Sequence, residues 1–405
     1  MKISVNDAKH RVPSDDTPLL NRDFILVTLT SFIFFFNYHS FILLPLRIEE
    51  LGGSESTIGF IMGAASMATI LTTPSVGILI DKWGKKWFLL AGGLLMSVTS
   101  LPFAFLDSLG FAFPALRVLH GAALSLCFVS AGTLIADVSS PAKRSQAIGL
   151  FGLFSVINFA LAPYVGKKII EAYGFGDLFV FDFIFGSSAF IAALFIREPE
   201  PLPGGNKPGS SYKGVLFRRG VFAAAFALMV AGTGFVSAIT FVPVFARRIG
   251  VNSFELFFIT YTAAIIAVRL IGGWIPDKFG KKRSSVPALF LFAISIIAIG
   301  YSSGTSGLIL AGVFFGLGHG LFYPAIYALV IDLSPEADRG KAVSICSVAF
   351  TFGGMLGVFI YGVIAEVWGF RLMFDIAGSV CVVGFLAFAF TGKESEGAGS
   401  RLSER

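Results

Sequence analysis

A chain of 405 residues that is 55% hydrophobic, 15% aromatic and only 14% charged departs from soluble proteins, in which about a quarter of residues are charged. Its mean hydropathy of +0.81 excludes a soluble domain and also disorder, because most of the chain seeks an apolar solvent. The net charge of +6 does not indicate a nucleic-acid partner: the 31 Lys and Arg lie in short clusters between apolar runs, not on one basic domain.

In chain order, residues 1–23 hold Lys9, Arg11, Asp15, Asp16, Arg22 and Asp23 with no apolar core, and read as a cytoplasmic tail and not a cleaved leader. Runs long enough to cross a bilayer follow at 24–46, 57–80, 86–106, 111–136, 145–166, 179–196, 221–244, 254–275, 285–303, 308–331, 342–364 and 372–391. They predict an all-α membrane protein of twelve spans. The longest connection, 197–220, is rich in Pro, Gly and basic residues. It divides an N-terminal six-helix bundle (24–196) from a C-terminal one (221–391), and a second cytoplasmic tail covers 392–405.

An even number of spans places both termini on one side. With the tails in the cytoplasm, that side holds 23 Lys and Arg against six on the other, Arg47, Lys167, Lys168, Arg247, Arg248 and Arg371. The excess predicts cytoplasmic termini in a plasma (inner) membrane.

The two halves repeat each other. Gly77, Asp81, Lys82, Gly84, Lys85 and Lys86 follow span 2; Gly273, Asp277, Lys278, Gly280, Lys281 and Lys282 follow span 8, displaced by 196 residues. Asp137 and Arg144 after span 4 recur as Asp332 and Arg339 after span 10, and Tyr173-Gly174-Phe175 recurs as Trp368-Gly369-Phe370, both displaced by 195. Three matches in register indicate duplication. Parallel six-span repeats place a binding site near the midplane, between the halves. Each Asp–Arg pair either staples its own turn or joins the charge cluster of the preceding loop, and the sequence leaves both readings open.

With the G-x-x-x-D-[RK]-x-G-[RK]-[RK] loop present twice, the whole chain resembles the major facilitator superfamily of secondary transporters. Within it, Arg117-Val-Leu-His120-Gly121 is similar to the R-x-x-Q-G motif of the drug/proton antiporter branch, with His for Gln. Ala162-Pro163-Tyr164-Val165-Gly166 is similar to that branch's G-P-x-x-G motif, with Ala162 for the first Gly and Lys167 for the last. The resemblance implies two six-helix bundles related by a pseudo-two-fold axis, a cavity lined by spans 1, 4, 7 and 10, and loop aspartates Asp81 and Asp277 that hold the cytoplasmic side shut against the other half. Gly77 and Gly273 read as close-packing positions.

Candidate site residues are the polar groups inside apolar runs. Arg117 and Arg269 are costly there and call for a partner, a wet cavity or snorkelling to the surface. His39, His120 and His319 lie between the midplane and the outer third, where a group that titrates near neutral pH suits a proton relay or a substrate contact. A histidine bonded to a backbone carbonyl in a packing seam is the alternative for each, and a three-histidine metal site is weaker because no carboxylate accompanies it. Asn37 and Tyr38 flank His39, Tyr323 lies one turn past His319, and Asp182 is an acid within span 6. Span 1 lacks the carboxylate that the antiporter branch commonly carries there. His120 shares a helix face with Arg117 and is the relay residue that the sequence favours.

No G-x-x-x-x-G-K-[ST] or H-E-x-x-H occurs, and the G-x-S-x-G match at Gly300–Gly304 falls where span 9 ends. The chain is therefore expected to be a transporter and not an enzyme, without cofactor or metal, acting as a monomer in the lipid bilayer on a small-molecule substrate with protons. Proton-coupled efflux of a small amphipathic compound is the favoured function. Uptake by symport is the alternative, and a non-transporting sensor or lipid scramblase is the alternative from another class.

Overall fold

Hydrocarbon offers no partner to a backbone N–H or C=O, so apolar runs of this length close their hydrogen bonds internally as helices. The computed structural model describes residues 18–198 and 210–391, apart from the side chain of Asp81; both tails and the centre of the linker lie outside the described residues. It has twelve helices long and apolar enough to span a membrane: Arg22–Glu50, Glu55–Ile80, Lys85–Phe105, Ala112–Asp137, Pro141–Tyr173, Phe175–Leu194, Arg219–Arg248, Glu255–Gly272, Lys281–Gly300, Thr305–Asp332, Glu336–Trp368 and Phe370–Thr391. We number them spans 1 to 12. Each overlaps one apolar run of the sequence. The fifth continues seven residues past its run, where Lys168 pairs with Glu171 at 2.8 Å along the helix.

Duplication is written in the turns. The described residues with positive φ are all glycines and fall in corresponding pairs: Gly52 and Gly250, Gly84 and Gly280, Gly174 and Gly369, with φ between 76° and 97°. These turns need a residue without Cβ.

The chain divides into two compact units, one drawn from Met1–Phe41 and Ala68–Gly205, the other from Ile42–Met67 and Asn206–Arg405. Span 1 changes unit at a 3-10 segment, Phe41–Leu43, which interrupts its α-helix after Ser40. In the first unit span 1 packs on spans 5 and 6, and span 3 on spans 4 and 6. Asn158 of span 5 donates to the Phe32 carbonyl at 3.0 Å.

In the second unit spans 7 and 11 meet backbone to backbone. A Cβ at Gly353 would lie 1.7 Å from the Met229 carbonyl oxygen, and one at Gly357 2.4 Å from that of Thr233. The segment 42–67 packs on span 11 through a second such seam, where a Cβ at Gly59 would lie 2.2 Å from the Val358 carbonyl oxygen. At its ends Arg248 binds Glu49 at 3.0 Å and Glu55 at 2.9 Å, and Glu366 accepts from the Ser56 amide at 3.1 Å.

Candidate functional site

In the first unit, span 1 delivers its polar residues to span 6 just before its α-helix ends. Asn37 donates from Nδ2 to the Asp182 backbone carbonyl at 2.7 Å and accepts at Oδ1 from Ser100 Oγ at 3.0 Å. Ser40 Oγ donates to Asp182 Oδ2 at 2.7 Å. Asn37 and Asp182 are both 0% exposed. The approach depends on Gly186, one turn beyond Asp182, where a Cβ would lie 2.4 Å from Asn37 Nδ2. Gly186→Ala is therefore expected to displace Asn37 and to destabilise the protein by about 1–3 kcal/mol, read as a lower midpoint in thermal unfolding of the purified protein.

Span 4 brings Arg117 and His120 together. Arg117 Nη1 donates to His120 Nδ1 at 3.3 Å, and its guanidinium lies 5.6 Å from the Phe41 ring centre and within hydrogen-bonding reach of the Tyr38 hydroxyl. A guanidinium only donates, so His120 Nδ1 accepts and the imidazole proton sits on Nε2. That nitrogen faces the Thr99 carbonyl without completing a well-formed hydrogen bond. The ring packs on Phe41 and Phe103 at 4.3 and 5.6 Å. In this state His120 takes a second proton only by giving up Arg117.

His39 has the opposite tautomer. Its Nδ1 donates to the Phe35 carbonyl at 2.7 Å, one turn back in its own helix, and its ring centre lies 4.0 Å from that of Phe159. Of the antiporter-like residues, Ala162, Pro163 and Gly166 are buried in span 5, where Pro163 removes one helical hydrogen bond.

The second unit has its own polar cluster. Tyr261 Oη and His319 Nδ1 are 3.1 Å apart, Tyr323 Oη donates to Tyr327 Oη at 3.3 Å, and Tyr327 Oη and Ser347 Oγ are 3.0 Å apart. His319 stacks on Phe235 with ring centres 4.6 Å apart, and Phe350 packs on Tyr323 at 5.2 Å. Arg269 is within electrostatic reach of Tyr261, Tyr323 and His319. Tyr261 and Tyr327 were not singled out by the sequence, although a tyrosine in an apolar run needs a partner for its hydroxyl and so carries a signal. Among the described residues no three His, Cys, Asp or Glu side chains gather as a metal site.

Of the Asp–Arg pairs, the aspartates join the charge cluster of the preceding loop. Lys85 Nζ pairs with Asp137 Oδ2 at 2.5 Å, and in the corresponding position Lys281 pairs with Asp332. Arg144 instead donates through Nε to the Ala136 carbonyl at 3.0 Å, and Arg339 is exposed. Glu198 accepts from the Lys85 and Lys86 amides at 2.7 and 3.0 Å and caps the start of span 3, where a carboxylate also suits the helix dipole. Lys86 Nζ donates to the Leu194 carbonyl, Lys82 lies over Trp83 and Lys278 over Trp274. Asp277 is exposed, and the Asp81 side chain is outside the described residues.

Gly77 and Gly273 correct an expectation. A Cβ at Gly77 meets no atom within 4 Å, and one at Gly273 would meet the carbonyl of Arg269 in the preceding turn. Among the described residues neither meets a neighbouring span within 4 Å, and the close seams lie elsewhere. Because Asp332 is 37% exposed, its ion pair is screened by water. Asp332→Asn is expected to change stability by less than about 1 kcal/mol while lowering turnover, checked by unfolding and transport measured on the same preparation.

Comparison with known proteins bears on the fold and the family. The Major Facilitator Superfamily model matches residues 25–305 and again 249–405. The chain is 27% identical over 362 residues to the multi-drug resistance efflux pump PmrA of Streptococcus pneumoniae, covering 84% of this chain and 88% of that one. It is 24% identical over 379 residues to the staphylopine export protein of Staphylococcus aureus, covering 88% and 93%. The crystal structure of the nucleoside transporter NupG superposes with a TM-score of 0.78 at 14% identity, covering 91% of this chain and all of that one, a likeness of fold alone. With a duplicated twelve-span fold and a family match along nearly its whole length, the chain belongs to the Major Facilitator Superfamily and is an integral membrane transporter, not an enzyme.

Proposed function

We propose that the protein is a proton-coupled exporter of small amphipathic organic compounds, working by alternating access as a monomer in the plasma membrane with both termini in the cytoplasm. The likeness along at least 84% of the chain to proteins named as exporters carries this reading. The 23-to-six distribution of Lys and Arg supports the orientation. Aromatic surfaces at Phe235, Tyr323 and Phe350 suit an apolar substrate body, and the hydroxyls of Tyr323 and Tyr327 suit its polar end. The repeated pairs Lys85–Asp137 and Lys281–Asp332 tie corresponding spans together in the two halves, which supports an alternating-access mechanism built on the repeat.

Everted membrane vesicles with an acid lumen test the direction, with ethidium and carboxyfluorescein as a cationic and an anionic probe. An exporter accumulates at least one of them in the lumen as protons leave, whereas movement of the probe out of the lumen together with protons identifies an uptake symporter. The six-plus-six division is tested by cutting within Pro201–Ser211 and co-expressing the two fragments. Activity is expected to survive, and its complete loss with both fragments inserted would count against two separately folded bundles.

A further inference from the structure

Asp182 is set seven residues into span 6, about 10 Å along a helix crossing a hydrocarbon core of about 30 Å. It is 0% exposed. Oδ2 accepts from Ser40 at 2.7 Å, while Oδ1 has no hydrogen-bond partner among the described residues. Five other carboxylates are answered by cations: Asp137 by Lys85, Asp332 by Lys281, Asp338 by Arg218, Glu49 and Glu55 by Arg248.

The neighbours of Asp182 are neutral. Span 1 contributes Asn37 and Ser40. Span 3 contributes Ser97, whose hydroxyl donates to the Phe183 carbonyl at 2.7 Å and lies 2.8 Å from Ser187 Oγ, and Ser100, which binds Asn37. Phe36 packs on Phe181 and Phe185. The titratable groups of the surroundings are engaged elsewhere: Arg117 and His120 bind each other and pack on Phe41, and His39 donates to Phe35. An ionised carboxylate with one hydroxyl donor and no counter-ion costs several kcal/mol at such a site. A proton on Oδ1 removes that cost and breaks no existing bond, because Oδ2 still accepts from Ser40.

The position of Ser40 gives the proton something to control. Ser40 is the last α-helical residue before the 3-10 segment Phe41–Leu43, and the chain passes from one compact unit to the other between Phe41 and Ile42. A stretch of 3-10 inside a longer helix often marks a hinge. A hydroxyl bonded to a carboxylate is held about twice as strongly as one bonded to a neutral acid.

We propose that Asp182 carries the coupling proton on Oδ1, and that its charge sets how firmly Ser40 is held at the joint of span 1. The assignment rests on the proton-coupled reading given above. It is a plain proton transfer: Oδ1 gains H+ from one side of the membrane and returns it to the other.

The test uses the full-length protein in liposomes, as wild type, Asp182→Asn and Asp182→Glu. Infrared difference spectra between acid and alkaline pH are expected to show the carbonyl band of a protonated carboxyl group, lost in Asp182→Asn and present at a shifted position in Asp182→Glu. In vesicles, pH-driven accumulation of the probe that the wild type exports is expected to fall to the level of protein-free vesicles in Asp182→Asn, while exchange of labelled for unlabelled probe persists. Asp182→Glu is expected to retain drive. A band that does not change with pH, or that survives in Asp182→Asn, overturns the assignment. So does wild-type drive in Asp182→Asn, and that result leaves the exporter reading standing. Absence of pH-driven export in the wild type, with exchange present, overturns the proton-coupled reading itself.

Discussion

Replacing His120 by leucine is expected to lower transport sharply and to destabilise the protein by about 1.5–3 kcal/mol, the cost of removing a neutral acceptor from a buried charge. Arg117 is 3% exposed, and its Nη1 donates to His120 while its Nε has no partner among the described residues. Leucine takes away the acceptor and leaves the charge. Glutamine presents a carbonyl oxygen to the same guanidinium, so His120→Gln is expected to keep fold, transport rate and pH profile. Thermal unfolding and vesicle transport of both variants check this. A leucine variant as stable as the wild type would show that Arg117 is answered in another way. A glutamine variant that folds but has lost its pH drive would show that the imidazole proton matters, and would move the coupling group from Asp182 to His120.

Gly353→Ala has the largest expected effect on folding. Its Cβ would fall 1.7 Å from the Met229 carbonyl oxygen, with neighbouring backbone contacts at Gly232 and Gly357 already at their limit. The obstacle is main chain, which cannot rotate away as a side chain can, so spans 7 and 11 must part along the seam. The cost is expected at or above about 3 kcal/mol, the upper end of ordinary overpacking, and is read as loss of folded protein after membrane extraction. Gly77→Ala is the control. A Cβ there meets nothing within 4 Å, and alanine is the better helix former by about 1 kcal/mol, so folded yield should not fall. Normal yield of Gly353→Ala would contradict the close seam.

The spans and the repeat are legible in the sequence because each is a local property. A bilayer demands long apolar runs, and duplicated turns keep their glycines, as at Gly84 and Gly280. Pairings across spans are not local. Nothing in the string decides that Asp137 reaches back 52 residues to Lys85 in preference to Arg144, since that depends on how spans 3 and 4 stack. Glu198 sits in a Pro-rich connection and carries no helical pattern, so its capping of span 3 had no sequence signal. The glycine seam did have one: Gly353 and Gly357 stand four residues apart in an apolar run, the small-residue spacing that lets membrane helices approach. The more conspicuous loop glycine, Gly77, drew the packing assignment in their place. Among the buried polar groups, residue type identified Asp182, Arg117 and His120, but only geometry separates a histidine bonded to its own helix, His39, from one that answers an arginine.

Coupled counter-movement of protons tests the account most directly. Protein is reconstituted in liposomes that contain a pH-reporting dye and are preloaded with the probe exported in everted vesicles, with no pH gradient imposed. Release of the probe down its gradient through the protein is expected to acidify the lumen, since each outward step returns protons inward, and Asp182→Asn should release probe without acidification. Release from the wild type at constant lumenal pH would contradict proton antiport, and lumenal alkalinisation would show that probe and proton travel together.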